Sequence, residues 1–509
     1  MAGKNARNGE CGAPWSSLAA GEEFAPHLPE NSCREGGASP MSTSTERPKP
    51  FLEPLFCKGC GRCVEACARH CIEPGTEINP ATGLVPVLLH LESCTACGLC
   101  IEACPEPFGL HPEDETFELE DPAKLFGCRS SEVPAPATIP DTYLPLPETR
   151  TLVVKGTYAS AIGALLAGCR HFFGYPITPS TEGAELMARI LPLVDGVFLQ
   201  AVSELATVNM MYGCGGAGLR SMTFTSSPGF SLMLEGISYM IGAEVPAVFV
   251  NVMRGGPGLG NIAPEQADIK LACRGLGHGN THALTLAPST PQEMLDLTMM
   301  AFDLAFEYRN PVVLLCDGYL GQMTGKVVLP RDMVKPGLPG WAVYGDKAHR
   351  GNLIASIHLS EVDLEAHNVM LDAKYARMTE REQRADLYRC DDADIVVVAC
   401  NTPGRMAKGA VEELRRMGVR AGLFRPVTLW PFPIRALEPV LRRASRLVVV
   451  EASSGQLEDE LRLALSHANL EGRVALDHVR HSGGVLPSLN EIVAACRLEQ
   501  PAHHAGGRR

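Results

Sequence analysis

Two short runs of cysteines constrain this 509-residue chain more than any other feature of its sequence. The first run reads CKGCGRCVEAC and the second reads CTACGLCIEACP, and both have the spacing C-x2-C-x2-C-x3-C. Two-residue gaps let three thiolates converge on one [4Fe–4S] cubane, while the fourth cysteine of each run crosses to the other cubane. The spacing therefore predicts that one cluster is bound by Cys57, Cys60, Cys63 and Cys104. It predicts that the second cluster is bound by Cys94, Cys97, Cys100 and Cys67.

Structural zinc sites are the alternative use of such cysteines, because zinc also binds pairs with the spacing C-x2-C. Two matched four-cysteine runs fit two cubanes better, and their spacing is that of bacterial two-cluster ferredoxins. We therefore predict a small bacterial-type ferredoxin domain at residues 51–128. Ala68 stands where a proline often follows the fourth cysteine, and Cys71 is an additional cysteine that we expect to be a buried neighbour rather than a ligand.

Charge and hydropathy exclude two classes of partner. The formal net charge of −13 argues against binding to the phosphate backbone of nucleic acids and to anionic membrane surfaces. The most apolar stretch, residues 221–253, is interrupted by Glu235, Glu244 and Pro246, and it falls short of the ~20 apolar residues of a membrane span. The N-terminal residues contain no apolar signal segment. We expect a cytoplasmic protein with reduced cysteines.

The chain divides by composition into five segments. Residues 1–50 are rich in Gly, Ser, Glu and Pro without apolar periodicity, which predicts disorder, and residues 129–149 hold five prolines, which predicts a stiff, extended linker. From residue 150 onward, apolar strands such as VPAVFVNVM and PVVLLC alternate with amphipathic helices, which predicts a parallel sheet covered on both faces. A less regular stretch from about 320 to 390 is followed by a second, smaller α/β unit.

Five motifs in order give the α/β body a family resemblance. They are GYPITPST (174–181), QAVSELATVNMMYG (200–213), TFTSSPGFSLMLEGISYMIGAEVP (223–246), NVMRGGPGLGNIAPEQAD (251–268) and DGYLGQM (317–323). Together they resemble the α subunits of 2-oxoacid:ferredoxin oxidoreductases, and the resemblance extends from about residue 151 to 495. It implies a thiamine-diphosphate pyrimidine-type domain with a parallel sheet at residues 150–375 and a transketolase C-terminal-like α/β domain at residues 376–509.

The resemblance also implies roles for three residues. Glu204 matches the carboxylate that activates thiamine diphosphate through its aminopyrimidine ring, whereas the sequence alone is also consistent with an acid that favours a helix N-terminus. Thr178 and Arg254 match the clamp for the substrate carboxylate. A helix N-cap is the alternative role for Thr178, and a surface or interface ion pair is the alternative for Arg254. Thr157 stands where relatives commonly have Asn.

The same resemblance implies partners. A G-D-G-x(20–30)-N signature for the diphosphate and its Mg²⁺ is not present in the sequence, and in this family that signature belongs to a β subunit. We therefore expect an obligate β subunit, in some complexes a γ subunit, and ferredoxin or another carrier as electron acceptor.

The expected reaction is CoA-dependent oxidative decarboxylation of a 2-oxo acid to an acyl-CoA and CO2, with electrons passing through the clusters. The motif RGGPGLGNIAPEQAD is similar to that of subunits for branched-chain substrates such as 3-methyl-2-oxobutanoate. 2-Oxoglutarate is the rival, since Lys270, Arg274 and His278 could supply a cation for its second carboxylate, and pyruvate and aryl-2-oxo acids such as indolepyruvate stay open. A noncatalytic electron-transfer scaffold is the alternative of another class.

Overall fold

The computed structural model describes residues 48–106, 109–112, 136–146, 151–346, 348–349 and 351–497. Residues 1–47, for which we predict disorder, lie outside the described residues. The chain divides into two compact units, Met1–Glu120 and Asp121–Arg509. No helix in the described part of the chain is long and apolar enough to cross a membrane.

The first unit is small and repeats one local motif. Its described elements are β1 (Pro50–Leu52), α1 (Arg62–Ala66), β2 (Ile72–Glu73), β3 (Leu88–Leu89), a 3₁₀ turn (Leu91–Ser93), α2 (Leu99–Ala103) and β4 (Leu110–Pro112). β1 pairs antiparallel with β4, and β2 pairs antiparallel with β3. Gly61 (φ 76°) and Gly98 (φ 83°) precede the two helices in the left-handed conformation, which favours glycine. Each cysteine run therefore turns in the same way into a short helix.

The larger unit is built on a seven-stranded sheet. Its strands are β7 (His171–Gly174), β8 (Val197–Gln200), β9 (Ser221–Thr225), β10 (Ala247–Met253), β11 (Leu284–Leu286), β12 (Pro311–Asp317) and β18 (Thr428–Trp430). They lie in the order β18-β11-β12-β10-β9-β7-β8, and all are parallel except β18, which runs antiparallel to β11. β9, β10, β11 and β12 are buried along their whole length, as expected for strands covered on both faces. The predicted parallel α/β sheet is confirmed.

The helices around this sheet follow the strands in βα order. They are α3 (Gly156–Leu166), α4 (Thr181–Ile190), α5 (Glu204–Gly216), α6 (Ser227–Gly242), α7 (Ile269–Arg274), α8 (Pro291–Tyr308) and α9 (Gly318–Gln322), with a 3₁₀ turn at Leu191–Val194. Two antiparallel strand pairs complete the region: β5 (Thr142–Pro145) pairs with β14 (Asp332–Lys335), and β6 (Thr151–Lys155) pairs with β13 (Thr324–Val328). The described part of the proline-rich segment is thus held against the body through β5.

The second sheet of this unit has five strands. They are β15 (Ala385–Tyr388), β16 (Ile395–Val398), β17 (Ala421–Pro426), β19 (Arg446–Glu451) and β20 (Ala475–Arg480). Their order is β15-β17-β16-β19-β20, and only β15 is antiparallel to its neighbour. The accompanying helices are α11 (Asn401–Arg416), α12 (Ile434–Leu437), α13 (Gln456–His467) and α14 (Leu489–Arg497), with a 3₁₀ turn at Val440–Arg442. This is the predicted smaller α/β unit.

The predicted irregular stretch from 320 to 390 is wrong in its centre, where α10 (Glu361–Arg381) forms a helix of 21 residues. Only four of its residues are buried, Leu371, Lys374, Tyr375 and Met378, and all four lie in its second half. The first half is mostly exposed and contains both apolar and acidic side chains. A helix is identified in sequence by a single apolar stripe along one face, and the exposed apolar side chains of α10 obscure that pattern. The sequence therefore does not predict this helix.

Candidate functional site

The cysteines of the two runs are brought together in the crossed arrangement. The Cys63 thiol lies within electrostatic range of Cys57 and Cys104, whereas the Cys100 thiol lies within range of Cys67 and Cys94. A cavity of about 230 Å³ is lined by four of the predicted ligands of the second cluster, Cys67, Cys94, Cys97 and Cys100. Two runs that are distant in sequence thus place the fourth cysteine of each run with the first and third cysteines of the other.

Backbone amides point at the sulfur atoms of these cysteines. The N–H of Cys71 donates to Sγ of Cys67 at 3.3 Å, that of Val87 to Cys57 at 3.5 Å and that of Ala96 to Cys94 at 3.4 Å. Burial raises the pKa of Cys67, but the amides of Cys71 and its neighbours outweigh burial, so its net pKa is below the ordinary value. Such donors stabilise thiolate charge and tune a bound cluster. Cys71 is buried and supports Cys67 through its backbone, consistent with a neighbour rather than a ligand.

The thiols of these runs suit a multi-iron cluster. All eight are free cysteines, and burial raises the pKa of Cys63 to about 11 because a buried thiolate is poorly solvated. No three His, Cys, Asp or Glu side chains in the described ranges lie close enough to hold a single metal ion. A cubane spreads its four thiolates over four separate irons, so its ligands stand farther apart than the four ligands of one zinc ion. The described cysteines fit cubane clusters.

The three predicted catalytic residues lie at one edge of the seven-stranded sheet. Thr178 follows β7, Glu204 follows β8 and Arg254 directly follows β10. These strands are parallel, so their carboxyl ends meet at the same edge, which is where ligands bind in open α/β sheets. The structure therefore brings together residues that the sequence separates by up to 76 positions.

Glu204 is the first residue of α5 and is only 5% exposed. The capping role belongs to Ser203, whose side chain accepts a hydrogen bond from the N–H of Ala206 at 3.2 Å. Within the described part of the chain, no side chain or backbone group forms a hydrogen bond with the Glu204 carboxylate. The carboxylate oxygens are therefore free to accept hydrogen bonds from a ligand.

Three buried hydroxyl groups are without partners in the described chain, and that of Thr225 lies near the Glu204 carboxylate. The buried Oγ1 atoms of Thr157 and Thr225 and the Oγ of Ser226 have no hydrogen-bond partner among the described residues. Buried polar groups are nearly always paired in native proteins, so orphaned groups at a sheet edge indicate a missing ligand. A carboxylate and several hydroxyls fit the aminopyrimidine half of thiamine diphosphate, which has hydrogen-bonding nitrogens on a flat ring.

Arg254 is 8% exposed, and its guanidinium is held by backbone oxygens. Nη1 donates to the oxygen of Thr178 at 2.7 Å and Nη2 to that of Leu259 at 3.2 Å, while Nε has no partner. Across the described ranges, no carboxylate lies within ion-pair distance of this guanidinium. The described chain therefore supplies no ion pair to Arg254, whose side chain is buried and whose charge no described carboxylate balances. Such a charge suits a carboxylate ligand.

Thr178 is exposed, and its side chain does not cap a helix. α4 begins at Thr181 and Ser180 occupies its N-cap position, so the N-cap alternative for Thr178 is wrong. The two-residue displacement arises because residues 178–180 form a turn before the helix. The Thr178 hydroxyl forms no hydrogen bond among the described residues, and the backbone oxygen of the same residue contacts the Arg254 guanidinium.

A hydrogen-bonded pair that the sequence did not single out supports Arg254. Ser227 Oγ accepts from the backbone N–H of Arg254 at 3.1 Å and donates to the Asp268 carboxylate at 2.5 Å. Asn251 Nδ2 donates to the same carboxylate oxygen at 2.9 Å, and burial raises the pKa of Asp268. Ser227 and Asp268 both lie inside the motifs quoted above, which was the available signal. Their pairing spans 41 positions and could not be read from spacing.

Two of the three downstream candidates, Arg274 and His278, have contacts within the chain, whereas Lys270 is exposed. Arg274 forms a two-pronged ion pair with the nearly buried Glu460, with N–O distances of 3.0 to 3.3 Å. His278 lies 3.5 Å from the hydroxyl of Ser238 and edge-on to Tyr239. The expectation that Arg274 could bind a second substrate carboxylate is therefore wrong, since its fork is filled by a residue of the second sheet region.

Buried polar residues join the two sheets of the larger unit. Asp317 at the end of β12 is fully buried and accepts from the N–H and the hydroxyl of Thr402 at 2.8 Å each. Gln266 Nε2 donates to Asn401 Oδ1 at 3.1 Å, and Gln266 Oε1 accepts from Ala452 N–H at 2.8 Å. Gln266 thereby joins the segments that follow β16 and β19.

Three segments of the chain match known protein families. Residues 162–357 match the family described as pyruvate flavodoxin/ferredoxin oxidoreductase, thiamine diP-bdg; residues 393–492 match pyruvate:ferredoxin oxidoreductase core domain II; and residues 56–107 match the 4Fe-4S dicluster domain. The chain is 46% identical over 349 residues to the ketoisovalerate oxidoreductase subunit VorB of Methanothermobacter thermautotrophicus, covering 68% of this chain and 97% of the relative.

The chain belongs to the α subunits of the 2-oxoacid:ferredoxin oxidoreductases. It is also 35% identical over 335 residues to the 2-oxoglutarate synthase subunit KorA of Methanocaldococcus jannaschii, covering 60% of this chain and 90% of the relative. A solved structure of 2-oxoglutarate:ferredoxin oxidoreductase from Magnetococcus marinus has the same fold, with a TM-score of 0.59, 24% identity and coverage of 68% of this chain and 64% of that chain.

The family assignment confirms several predictions made from sequence. The fold class, the oxidoreductase class acting on 2-oxo acids, the iron–sulfur clusters and the thiamine diphosphate are those predicted. The dicluster match replaces the zinc alternative. The relatives are named as subunits, which agrees with the prediction that this chain has partner subunits.

Proposed function

We propose that this chain is the catalytic α subunit of a complex that oxidatively decarboxylates 3-methyl-2-oxobutanoate to the acyl-CoA and CO2. The observation that carries the proposal is the pair of buried groups without charged partners at one sheet edge: the Glu204 carboxylate and the Arg254 guanidinium. A noncatalytic scaffold has no use for the buried charge of Arg254 beside this carboxylate, because burying an unpaired charge destabilises the fold.

Glu204 is assigned to activation of the cofactor. Thiamine diphosphate, when bound, supplies an electron sink for the carbon that loses CO2. The Glu204 carboxylate would accept a hydrogen bond from the aminopyrimidine ring, and its negative charge would favour the proton-accepting form of that ring. The carboxylate is suited to this because its position at the start of α5 is fixed by the Ser203 cap, while its oxygens are not hydrogen-bonded elsewhere among the described residues.

Arg254 and Thr178 are assigned to the substrate carboxylate. The Arg254 fork is oriented by two backbone oxygens, and its Nε is left to donate. Arg is suited to a carboxylate because its planar donors can pair with both oxygens. The exposed Thr178 hydroxyl supplies a further donor from the loop that Arg254 contacts. Together they hold the 2-oxo acid by its carboxylate and orient its 2-keto carbon.

The eight cysteines of the ferredoxin domain are assigned as cluster ligands. Cys104 is assigned to the same cluster as the first three cysteines of the first run, and the closeness of Cys63 to Cys104 supports this. Cys67 is assigned to the same cluster as the first three cysteines of the second run, and the closeness of Cys100 to Cys67 supports this. Two one-electron carriers divide the two electrons of each decarboxylation into single transfers. The terminal acceptor is a ferredoxin or another one-electron carrier.

A β subunit is proposed to complete the site by supplying the diphosphate and Mg²⁺ contacts. Large apolar side chains are exposed next to the assigned residues: Val202 (88%) and Leu205 (48%) flank Glu204, and Leu232 (58%) lies on α6. Leu259 (80%), whose backbone oxygen Arg254 contacts, is also exposed. Exposed apolar side chains grouped at a functional site fit a protein interface. A γ subunit and CoA complete the proposed complex.

The branched-chain substrate is preferred over 2-oxoglutarate for a physical reason. A second carboxylate needs a second cation, and Arg274, the candidate with a carboxylate-binding fork, is engaged by Glu460. The relative named for ketoisovalerate is 46% identical to this chain, whereas the relatives named for 2-oxoglutarate are near 35%. The ion pair of Arg274 and the higher identity to the ketoisovalerate relative both support an apolar substrate side chain.

The test is an anaerobic assay of the complex of this chain with its β subunit. Each 2-oxo acid is supplied with CoA, and reduction of a viologen dye is followed. We expect the highest kcat/KM for 3-methyl-2-oxobutanoate. A higher value for 2-oxoglutarate would reject the substrate assignment while leaving the reaction class, and absence of turnover with all 2-oxo acids would reject the catalytic role.

A further inference from the structure

Gly229, the third residue of α6, faces the Glu204 carboxylate across the contact between α6 and α5. A Cβ atom at this position would lie 2.4 Å from Glu204 Oε1, 2.9 Å from Glu204 Cγ and 2.5 Å from Thr225 Oγ1. Gly229 does not have a positive φ, so its backbone conformation is open to any residue. Space, and not conformation, is what requires a glycine here.

A methyl group at this position would move the carboxylate and not the helix. Real Cβ atoms essentially never approach other heavy atoms to such distances, so one of the two sides must shift. The backbone of α6 is fixed next to Gly229 by Phe230 and Met233, which are both fully buried. The Glu204 carboxylate is the end of a flexible side chain and, in the described residues, has no hydrogen bond to hold it. The carboxylate is therefore the side that yields.

We propose that Gly229 is a positioning residue for the reaction: the hydrogen atom that replaces a side chain leaves the space in which the Glu204 carboxylate is held. This inference rests on the proposed role of Glu204. The neighbouring Thr225 hydroxyl, buried and unpaired among the described residues, forms another wall of the same space. The required glycine thus belongs to the catalytic site through the residue that it accommodates.

A second glycine of α6 provides a matched control. Gly236 lies seven residues further along the same helix, and a Cβ there would lie 2.5 and 2.6 Å from the two methyl groups of Val208 on α5. Val208 is fully buried, and a β-branched side chain in a helix has essentially one rotamer. Gly236 is therefore a packing glycine of the same helix pair, with no contact to the carboxylate. Gly213 on α5, where an added methyl group would have no neighbour within 4 Å, is the open-space control.

The substitution should act on catalysis and not on assembly. Misplacing a reacting group by about 1 Å can reduce a rate by about 10²-fold. We therefore expect Gly229→Ala to lower kcat by about 10²-fold with little change in the KM for the 2-oxo acid, because Arg254 is not touched. Its unfolding temperature should stay close to that of Gly213→Ala, whereas Gly236→Ala should unfold at a lower temperature but keep the kcat of the wild type per assembled complex.

The experiment uses the complex with the β subunit loaded with thiamine diphosphate and Mg²⁺, without any 2-oxo acid. The readout is the rate at which the C2 hydrogen of the bound thiamine exchanges with deuterium, measured by quenched-flow NMR, together with the unfolding temperature and the affinity for the cofactor. We expect exchange to be slowed about 10²-fold in Gly229→Ala and unchanged in Gly213→Ala and Gly236→Ala.

Each outcome has one meaning. If Glu204→Gln keeps normal exchange, the proposed role of Glu204 fails and the inference fails with it. If Glu204→Gln abolishes exchange while Gly229→Ala retains more than half of the wild-type rate, only the inference about Gly229 fails. If Gly229→Ala prevents assembly or lowers the unfolding temperature as Gly236→Ala does, Gly229 is a packing residue and the inference is also overturned.

Discussion

Arg254 donates a hydrogen bond of 2.7 Å from Nη1 to the backbone oxygen of Thr178, so two segments that are 76 residues apart form one wall of the candidate site. The contact orients the guanidinium while leaving Nε without a partner among the described residues. The Ser227 hydroxyl accepts a hydrogen bond from the backbone N–H of Arg254, and the backbone oxygen of Leu259 accepts one from Nη2. This arrangement would give the proposed clamp a fixed direction before substrate binds, which would lower the entropic cost of orienting the 2-oxo acid.

Arg254→Lys should raise the KM for the 2-oxo acid about tenfold or more and change kcat much less. The lysine keeps the positive charge but loses the planar fork and the two backbone contacts. Steady-state kinetics of the complex with varied 2-oxo acid measures both constants. An unchanged KM would remove Arg254 from the clamp.

Glu204→Gln should lower kcat by about 10²- to 10⁴-fold, the typical contribution of a positioned acid–base group. The amide keeps the size of the side chain but not its negative charge. Turnover of the complex is compared with reoxidation of dithionite-reduced clusters in the same sample, which should be unaffected since it does not use thiamine. Retention of more than half the turnover would mean that Glu204 is only an acidic residue at a helix N-terminus and does not activate the cofactor.

Cys104→Ser and Cys67→Ser should each remove a different cluster. The crossed arrangement places Cys104 with Cys57 and Cys63, so Cys104→Ser and Cys57→Ser should leave the same cubane behind. Iron and acid-labile sulfide analysis with EPR of the reduced protein checks this. The wild type should bind about eight irons and eight sulfides. If Cys104→Ser behaves like Cys94→Ser instead, the ligand assignment is wrong.

The chain expressed without a β subunit should be inactive with every 2-oxo acid and CoA, yet keep its iron and sulfide. The reason is that the sequence lacks the signature for the diphosphate and Mg²⁺. Viologen reduction by the purified chain, before and after co-expression with its partner, measures the difference. Robust turnover by the chain alone would place the diphosphate site within it.

Acid should destabilise the larger unit through His282. This ring stacks on Trp430 with a centroid distance of 4.5 Å and meets Tyr375 edge-on, and burial lowers its pKa from 6.5 to about 4. The unfolded chain therefore binds a proton between about pH 6.5 and 4 while the folded chain does not, so stability falls as pH falls through this window. The loss should approach about 2 kcal/mol, which already allows for partial exposure of the ring.

His282→Gln should reduce this acid sensitivity, because Gln has no titrating group. The measurement is the difference in unfolding temperature between pH 7 and pH 5 for the wild type and for the variant. An equal difference in wild type and His282→Gln would show that other groups cause the acid sensitivity.

Local spacing determined much of this protein. The intervals between Cys57 and Cys67 and between Cys94 and Cys104 predict two clusters because chain geometry over ten residues fixes which thiolates can meet. Alternation of apolar strands and amphipathic helices predicts a parallel sheet, because covering both sheet faces requires that order. Motif resemblance then identified Glu204, Thr178 and Arg254 as candidates, but with alternatives for each.

Only the tertiary structure bears on those alternatives. Burial of Arg254 away from carboxylates, capping of α5 by Ser203 and the closeness of Gly229 to Glu204 all depend on which strand ends meet at one sheet edge. The same holds for the ion pair that engages Arg274 and for the half-exposed helix α10. Such contacts join residues tens to hundreds of positions apart, and their distances follow from packing and not from any local interval in the sequence.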